Sequence, residues 1–157
     1  MREPNPNLIV REMSRADQAA WTEMRAALWP EETAAASAAS IASIFRSDDV
    51  WGFIAETPDG TPAGFAEVAV RAYANGCDTA PVPFLEGIWV KPDLRRQGVG
   101  ARLITHIVAF CLARGFSEIG SDALIDNATS HAAHRGWGFS ETERVIYFHK
   151  ILSPPSR

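Results

Sequence analysis

The chain contains only two cysteines, Cys77 and Cys111, among its 157 residues. Two thiols make neither a disulfide framework nor a cysteine-based zinc site, and Cys111 falls on the apolar face of a predicted helix as a buried free thiol. No apolar stretch is long enough to span a bilayer. Residues 1–7 also lack the apolar segment of a secretion signal, so we expect a cytoplasmic protein.

Basic charge is scarce as well. The 15 Lys and Arg residues are outnumbered by 19 Asp and Glu residues, which gives a formal net charge of −4. Binding along a nucleic-acid backbone requires a basic surface, so nucleic acid is not expected as a partner. With no bilayer-spanning stretch and no cysteine-based site, neither a membrane partner nor a metal is expected. A mildly acidic body with a local basic patch suits an anionic cofactor and a cationic substrate instead.

The chain has enough apolar sequence for one core, since 46 % of its residues are hydrophobic. We predict a single domain over residues 1–152 and a disordered tail at 153–157. Periodicity and turn residues predict strands at 8–10, 50–56, 63–70, 84–90 and 116–121, and one or two strands within 139–151. They predict helices after Ser14, over 33–45, over 99–114 and after Asn127.

The segment from 84 to 121 is predicted to be a right-handed strand–helix–strand crossover with parallel strands. Most other connections are short, which favours antiparallel pairing. The expected fold class is therefore α+β, or mixed α/β, with a mixed and mostly antiparallel central sheet, one parallel β-α-β crossover and packed helices.

A glycine turn at residues 95–100, Arg-Arg-Gln-Gly-Val-Gly, joins the strand and the helix of that crossover. Backbone N–H groups at such a turn, the helix dipole and two arginines are suited to holding a phosphate. A dinucleotide-binding interpretation lacks the third glycine after Gly100, and a P-loop would need Gly-Lys-Ser/Thr. The sequence thus indicates a phosphate-bearing cofactor of another kind.

The pattern Arg/Gln-x-x-Gly-x-Gly/Ala, met by Arg95, Gly98 and Gly100, resembles the acetyl-coenzyme A site of the GCN5-related N-acetyltransferase (GNAT) superfamily. The order of elements is also similar, with Asn127 heading a helix before a terminal Gly-Phe at 138–139. Further segments resemble the aminoglycoside 6'-N-acetyltransferases: 28–30 (Leu-Trp-Pro), 73–78 (Tyr-Ala-Asn-Gly-Cys-Asp), 84–88 (Phe-Leu-Glu-Gly-Ile), 121–122 (Ser-Asp) and 141–146 (Glu-Thr-Glu-Arg-Val-Ile). The resemblance implies a GNAT-like fold with helices on both faces of the sheet, and commonly a homodimer.

By this resemblance, acetyl-CoA is the co-substrate and an aminoglycoside the acceptor. The implied cofactor-binding residues are Ile88, Trp89, Val90, Arg95, Arg96, Gln97, Gly98, Val99, Gly100, Ala101 and Asn127. The backbone at 88–90 would pair with the pantetheine arm as an added strand, and a local bulge near Gly87 would aim an N–H at the thioester oxygen.

The implied substrate-binding residues are Trp29, Tyr73, Glu86, Asp122 and Glu143. Carboxylates bind ammonium groups, and one of them can take the proton that the attacking amine must lose. Glu86 and Asp122 are the candidate bases, and the choice between them stays open. Each acid also has a purely structural interpretation. Glu86 could be an outward-facing strand residue, Asp122 a helix or turn cap, and Glu143 one half of a surface ion pair.

His134 stands where many family members carry a tyrosine that protonates the departing thiolate. A histidine can donate a proton near neutral pH, so His134 is a candidate general acid, although a packing role is equally compatible with the sequence.

Three alternatives remain at this point. One is an acetyltransferase for another amine, such as a polyamine or a protein N-terminus, and a second is a non-catalytic coenzyme-A-binding sensor. Cys77 as a covalent nucleophile is a further option, but no histidine is close to it in sequence, and the resemblance implies direct transfer instead.

Overall fold

A computed structural model describes residues 7–157 and contains nine regular elements. In chain order they are β1 (Ile9–Glu12), α1 (Gln18–Leu28), α2 (Ala34–Phe45), β2 (Val50–Glu56), β3 (Pro62–Arg71), β4 (Val82–Val90), α3 (Val99–Ala113), β5 (Gly120–Ser121) and α4 (Ala128–Gly136), with short 3₁₀ turns at Arg15–Asp17 and Pro92–Leu94. These bounds confirm the predicted helices, and the predicted strands as far as β4.

The strands form one sheet in the order β1-β2-β3-β4-β5. The first four strands pair antiparallel, and β5 pairs with β4 in parallel. Helix α3 connects these two parallel strands, so the predicted mixed sheet with a single β-α-β crossover is confirmed.

Two apolar cores lie on opposite faces of the sheet, because neighbouring strand residues point to opposite sides. On one face, Phe53 and Ala66 pack with Leu103 and Ile107 of α3. On the other face, Ile54 and Phe65 pack with residues of α1 and α2 that include Trp21 and Ile41. The expectation of helices on both faces is confirmed.

Two sequence predictions near the C-terminus are wrong. The strand predicted at 116–121 is only two residues long, and residues 139–157 form no regular strand where one or two were predicted within 139–151. A strand exists only through hydrogen bonds to a neighbour, and β5 is too short to provide an edge for the following segment. The apolar composition of residues 145–152 therefore does not produce a strand within this chain.

No helix in the described part of the chain has the length and apolarity needed to cross a membrane. The prediction about a secretion signal concerns residues 1–7, of which 1–6 lie outside the described residues. The division into a domain at 1–152 and a tail at 153–157 stays a prediction.

Candidate active site

Strand β4 contains a bulge at Glu86, in the middle of the candidate site. Against β3, Gly87 lies opposite Glu67 and Leu85 lies opposite Val68, so Glu86 is the additional residue. A bulge bends its strand and changes the direction of a side chain. The local irregularity expected near Gly87 is therefore present, and it coincides with a predicted catalytic residue.

Beyond this bulge, β4 and β5 separate. The parallel ladder includes only Phe84 with Gly120 and Leu85 with Ser121. From Glu86 to Val90, β4 pairs on one side with β3 and faces no strand of residues 7–157 on its other side. Ile88 and Val90 direct their backbone groups to this open edge, where they can pair with an extended ligand, whereas the backbone groups of Trp89 face β3.

The glycine turn contains two residues with left-handed backbone angles, Arg96 at φ 60° and Gly98 at φ 82°. Gly98 is the N-cap of α3 and makes no side-chain cap, so the first N–H groups of this 15-residue helix have no side-chain acceptor there. Such N–H groups, together with the helix dipole, favour an anion.

Gly98 and Gly100 are required for different reasons. Gly98 has a positive φ that an L side chain rarely adopts. Gly100 is buried in the first turn of α3, where an added Cβ would lie 2.7 Å from Cζ2 of Trp137. The structure adds a packing requirement at Gly100, against the ring of Trp137, and the implied contact of both glycines with a phosphate stays a prediction.

Two further residues of the turn bond to nearby backbone. Arg95 Nε donates to the Val90 carbonyl at 3.0 Å and ties the turn to the end of β4. Gln97 Nε2 donates to the Asp93 carbonyl at 3.0 Å. Both side chains and that of Arg96 are exposed, which leaves the two guanidinium groups accessible to solvent.

A cleft of about 160 Å³ opens where β4 and β5 separate. It is lined by Leu28, Trp29, Leu85, Glu86, Gly87, Ile88, Ser121, Asp122, Ala123, Asn127, Ser130 and His134. The structure thus brings together six predicted site residues from four separate segments: Trp29, Glu86, Ile88, Asp122, Asn127 and His134.

His134 is held through both ring nitrogens. Nδ1 lies 2.8 Å from the Ser130 carbonyl, and Nε2 lies 2.7 Å from Ser121 Oγ. A carbonyl only accepts, so Nδ1 carries a proton and, in the neutral ring, Nε2 accepts from the Ser121 hydroxyl. The ring also packs 5.3 Å from the ring centroids of Trp137 and Phe139. His134 therefore combines a packing contact with a hydrogen bond to a residue of the cleft.

A buried ion pair supports the wall of the cleft. Arg25 is paired with Glu67 of β3, and its guanidinium carbon lies 4.7 Å from the ring centroid of Trp29. Trp21 Nε1 donates to the same Glu67 at 2.8 Å. Burial raises the pKa of Glu67, although the hydrogen bonds from Arg25 and Trp21 favour its carboxylate form. The ring of Trp29 in turn covers Gly87, where a Cβ would lie 2.5 Å from Trp29 Cζ2.

Tyr73 and Glu143 do not line this cleft. Tyr73 is 74 % exposed, and Glu143 lies on the exposed C-terminal segment. Cys77 is half-buried, and burial together with Glu118 and Asp78 raises the pKa of its thiol. A nucleophilic cysteine requires the opposite shift, so the surroundings of Cys77 disfavour covalent catalysis. Cys111 is buried and free, as predicted.

Sequence reasoning missed Arg71, Ser121 and the Arg25–Glu67 pair. Glu67 carries the same signal that identified Glu86, a carboxylate inside an apolar strand, and could have been found from it. Arg71 has no local signal, because only the β3–β4 register brings it to Glu86. Within residues 7–157, no group of three or more His, Cys, Asp and Glu side chains is arranged to hold a metal ion.

An open strand edge, a glycine turn that begins a helix and an acid-lined cleft together define an acyl-CoA-dependent transferase. Residues 12–139 match the model of the acetyltransferase (GNAT) family. The chain belongs to this family, which confirms the prediction of an acetyl-CoA-dependent N-acetyltransferase.

Within the family, the chain is similar to aminoglycoside 6'-N-acetyltransferases. It is 39 % identical to aminoglycoside N(6')-acetyltransferase type 1 of Stenotrophomonas maltophilia, with 92 % of this chain and 94 % of the relative covered. It is 42 % identical to the protein of the same name from Serratia marcescens, with 85 % and 92 % covered. The structure of AAC(6')-Iy in complex with a bisubstrate analog superposes with a TM-score of 0.88 at 38 % identity, covering 92 % of this chain and 99 % of that one. These similarities confirm the predicted subgroup.

Proposed function

We propose that the protein transfers acetyl from acetyl-CoA directly to the 6'-amine of aminoglycoside antibiotics and thereby confers resistance to them. One observation carries the proposal: the open edge of β4 runs from the glycine turn to a cleft that contains two carboxylates, Glu86 and Asp122. The relatives that share most of this chain's length are named for the same reaction.

Acetyl-CoA supplies an acetyl group activated as a thioester, and the residues of the β4 edge and the turn fit such a molecule. The outward-facing backbone groups of Ile88 and Val90 are free to pair with an extended arm. The N–H groups from Gly98 to Ala101, with the guanidinium groups of Arg95 and Arg96, supply donors and positive charge for a pyrophosphate. Gln97 and Val99 contribute backbone to the same turn.

Asn127 has a part in both the fold and the proposed cofactor site. Its Oδ1 accepts from the Ser130 N–H at 3.0 Å and caps helix α4. Its side-chain NH₂ group provides two further donors, which face the cleft in our proposal and bond the cofactor arm.

On the substrate side, Glu86 and Asp122 attract the ammonium groups of the sugar, and Trp29 forms an apolar wall beside them. Asp122 is our preferred base, because both oxygens of Glu86 already accept hydrogen bonds from Arg71. Tyr73 and Glu143 complete the proposed substrate site from its rim. These residues serve two functions: they hold the amine close to the acyl carbon, and they remove a proton from the amine.

Two donors then act on the acyl group. A backbone N–H of β4 next to the bulge stabilises the negative charge that grows on the acyl oxygen. When His134 is an imidazolium, its Nε2–H donates to Ser121 Oγ, and the Ser121 hydroxyl passes its own proton to the departing sulfur. His134 then gives its Nε2 proton to Ser121 and becomes neutral. This assigns His134 as the general acid that acts through Ser121.

A turnover assay tests the proposal. Purified protein is offered acetyl-CoA with an aminoglycoside panel, with spermidine and with peptides, and free thiol release is measured. We expect turnover with aminoglycosides that carry a 6'-amine and none with matched analogues that carry a 6'-hydroxyl. Turnover of only spermidine or peptides would reject the substrate, and cofactor binding without any turnover would establish a sensor.

We also infer a homodimer in which the C-terminal segment packs on a second copy. This segment exposes Val145, Ile146, Tyr147, Phe148, Ile151 and Leu152, with Phe148 91 % exposed. Monomers rarely expose so many apolar side chains together, and the short β5 leaves a sheet edge beside it. Because Glu143 lies on this segment, its place at a substrate site would then depend on the partner copy.

Sedimentation measurements test the dimer. We expect wild-type protein to sediment as a dimer and Phe148→Glu to sediment as a folded monomer, with Glu31→Gln as an exposed control that stays dimeric. A monomeric wild-type protein at micromolar concentration would reject the inference. We further propose a cytoplasmic location and no metal requirement, and the two free thiols suit a reducing compartment.

A further inference from the structure

Glu86, one of the two acids of the proposed substrate site, already has a cationic partner in the same chain. Arg71 Nε donates to Glu86 Oε1 at 2.8 Å, and Arg71 Nη2 donates to Oε2 at 2.7 Å. Two parallel bonds from one guanidinium give the strongest and most directional form of carboxylate pairing. Glu86 is therefore fixed in orientation before any substrate arrives.

The position of Arg71 is itself fixed by packing. It is the last residue of β3, and its guanidinium carbon lies 3.6 Å from the ring centroid of Phe84 in β4. Alternation along β4 places Val82, Phe84 and Glu86 on one face, and Arg71, opposite Val82, lies on that same face. Arg71 and Glu86 are 40 % and 29 % exposed, so the pair borders the cleft and remains open to solvent.

Asp122 differs from Glu86 in this respect. Among residues 7–157 its side chain has no ion pair within 4.0 Å. The carboxylate of Asp122 nevertheless acts on Arg71 electrostatically. The pKa of Arg71 is raised, first by its hydrogen bonds to Glu86 and, against the cost of burial, by the negative charges of Glu86 and Asp122. The other polar side chains that line the cleft are those of Ser121, Asn127, Ser130 and His134.

We propose that Arg71 is a specificity-determining residue of the proposed acetyl transfer. Arg71 pairs with Glu86, so that Asp122 receives the substrate ammonium, and its positive charge disfavours the protonated form of the attacking amine. The inference rests on the proposed function. Glu86, Asp122 and Arg71 together carry one negative charge instead of the two that the acids alone would carry. A site with less negative charge binds a polycation less tightly but leaves more of the amine neutral and able to attack.

The competing explanation is that Arg71 and Glu86 form only a cross-strand ion pair that stabilises the β3–β4 register. In that case loss of Arg71 lowers stability and lowers kcat/KM uniformly, without a change in pH or salt dependence. The two explanations are therefore separated by charge-dependent measurements and not by activity alone.

The test uses Arg71→Gln, Arg71→Lys and wild-type enzyme with an aminoglycoside that the wild type acetylates. For Arg71→Gln we expect KM to fall about threefold to tenfold, kcat at neutral pH to fall by a similar factor, and the rise of kcat with pH to move up by about one unit. The sign follows because loss of a positive charge favours the ammonium form, so more alkaline conditions are needed for the neutral amine. The dependence of kcat/KM on ionic strength should steepen as well.

Arg71→Lys is the matched control, because it keeps the charge and loses the two-pronged geometry. It should retain the wild-type pH profile and salt dependence. A variant Arg71→Met keeps the stem over Phe84 and serves as a second neutral replacement. An unchanged pH profile and salt dependence in both neutral variants would overturn the proposal, and failure of both to fold would do so too by showing a structural ion pair.

Failure of the proposed function is distinguishable from failure of this inference. A wild-type enzyme that acetylates no aminoglycoside rejects the function and the role of Arg71 with it. An active wild type with neutral variants that differ only in stability rejects the role of Arg71 alone.

Discussion

The cofactor half and the substrate half of the candidate site use different chemical groups of the chain. The cofactor half consists mainly of backbone: the open edge of β4 and the N–H groups at the start of α3. The substrate half consists of side chains, in particular Glu86, Asp122 and Trp29. Arg71 contacts Glu86, and Arg25 contacts Trp29. A backbone site follows from the fold alone, whereas a side-chain site can be altered by one substitution in a neighbouring residue.

This difference predicts where substitutions act. Changes to the turn should affect cofactor affinity, and changes to the acids or their supports should affect the amine substrate. The following predictions test that separation, and those within the site use a variant at a comparable position as their control.

The largest effect is expected for Asp122→Asn. Loss of the proposed base should lower kcat/KM for an aminoglycoside by about 10²–10⁴-fold, because general base catalysis contributes on that scale. Steady-state kinetics at saturating acetyl-CoA measure it. Asp126→Asn, an exposed acid in the same loop, should behave as wild type. Wild-type kinetics in Asp122→Asn, or an effect confined to acetyl-CoA affinity, would contradict the assignment.

Gly98→Val should weaken acetyl-CoA binding about tenfold or more. A valine at φ 82° is strained by about 1–3 kcal/mol, and relaxing the strain moves the N–H groups of the turn. Titration calorimetry with CoA measures the change. Gly115→Val is the matched control, because Gly115 has φ 85° at the other end of α3 with no atom near its added Cβ. Equal loss of affinity in both variants would show a general effect of helix strain.

Gly87→Ala should raise KM for the amine severalfold and leave the affinity for CoA near the wild-type value. The added Cβ would lie 2.5 Å from Trp29 Cζ2, so the ring that lines the cleft must move, at a cost of about 1–3 kcal/mol in stability. Kinetics and thermal melting measure the two consequences. Gly136→Ala, with open space around its added Cβ, should change neither. An unchanged KM for Gly87→Ala would separate Trp29 from the substrate.

The smallest effect on function is expected far from both halves. Hydrogen bonds from Arg11 lower the pKa of Asp17 from 3.8 to about 2 against the cost of burial. A carboxylate with a lowered pKa stabilises the fold above its unfolded pKa and loses that contribution as pH falls toward 2. Thermal melts should show wild type more stable than Asp17→Asn at neutral pH, with the gap closing between about pH 4 and 2. Altered kcat/KM at neutral pH in a folded Asp17→Asn protein would show that the scaffold is coupled to the site.

Much of the fold was predictable because its signals are local. The run from Val50 to Glu56 and the Asp-Gly turn at 59–60 identify a hairpin, and Thr33 caps α2 by accepting from the Ala36 N–H. The absence of strands within residues 139–151 was not predictable from the local sequence. Their apolar pattern is typical of strands, but pairing requires an edge that β5 does not provide.

Residues of the candidate site were predictable where the neighbouring sequence alone singled them out. Glu86 is a charge inside an apolar strand, and Asp122 follows the end of a parallel strand, so both were found. Gly100 has a second role, contact with the ring of Trp137, which nothing nearby in sequence reveals. Contacts over long sequence separations are the part that local patterns leave out.

The amino-acid sequence by itself determined the four helices, the strands as far as β4 and the glycine turn, since these depend on periodicity and on backbone preferences of neighbouring residues. Only the tertiary structure decided that β4 bulges at Glu86 and that β4 and β5 separate to form a cleft. It also decided that Arg71 pairs with Glu86 and not with Asp122. The physical reason is register: one additional residue in β4 changes which side chains meet across the sheet, and no local preference of the chain encodes that meeting.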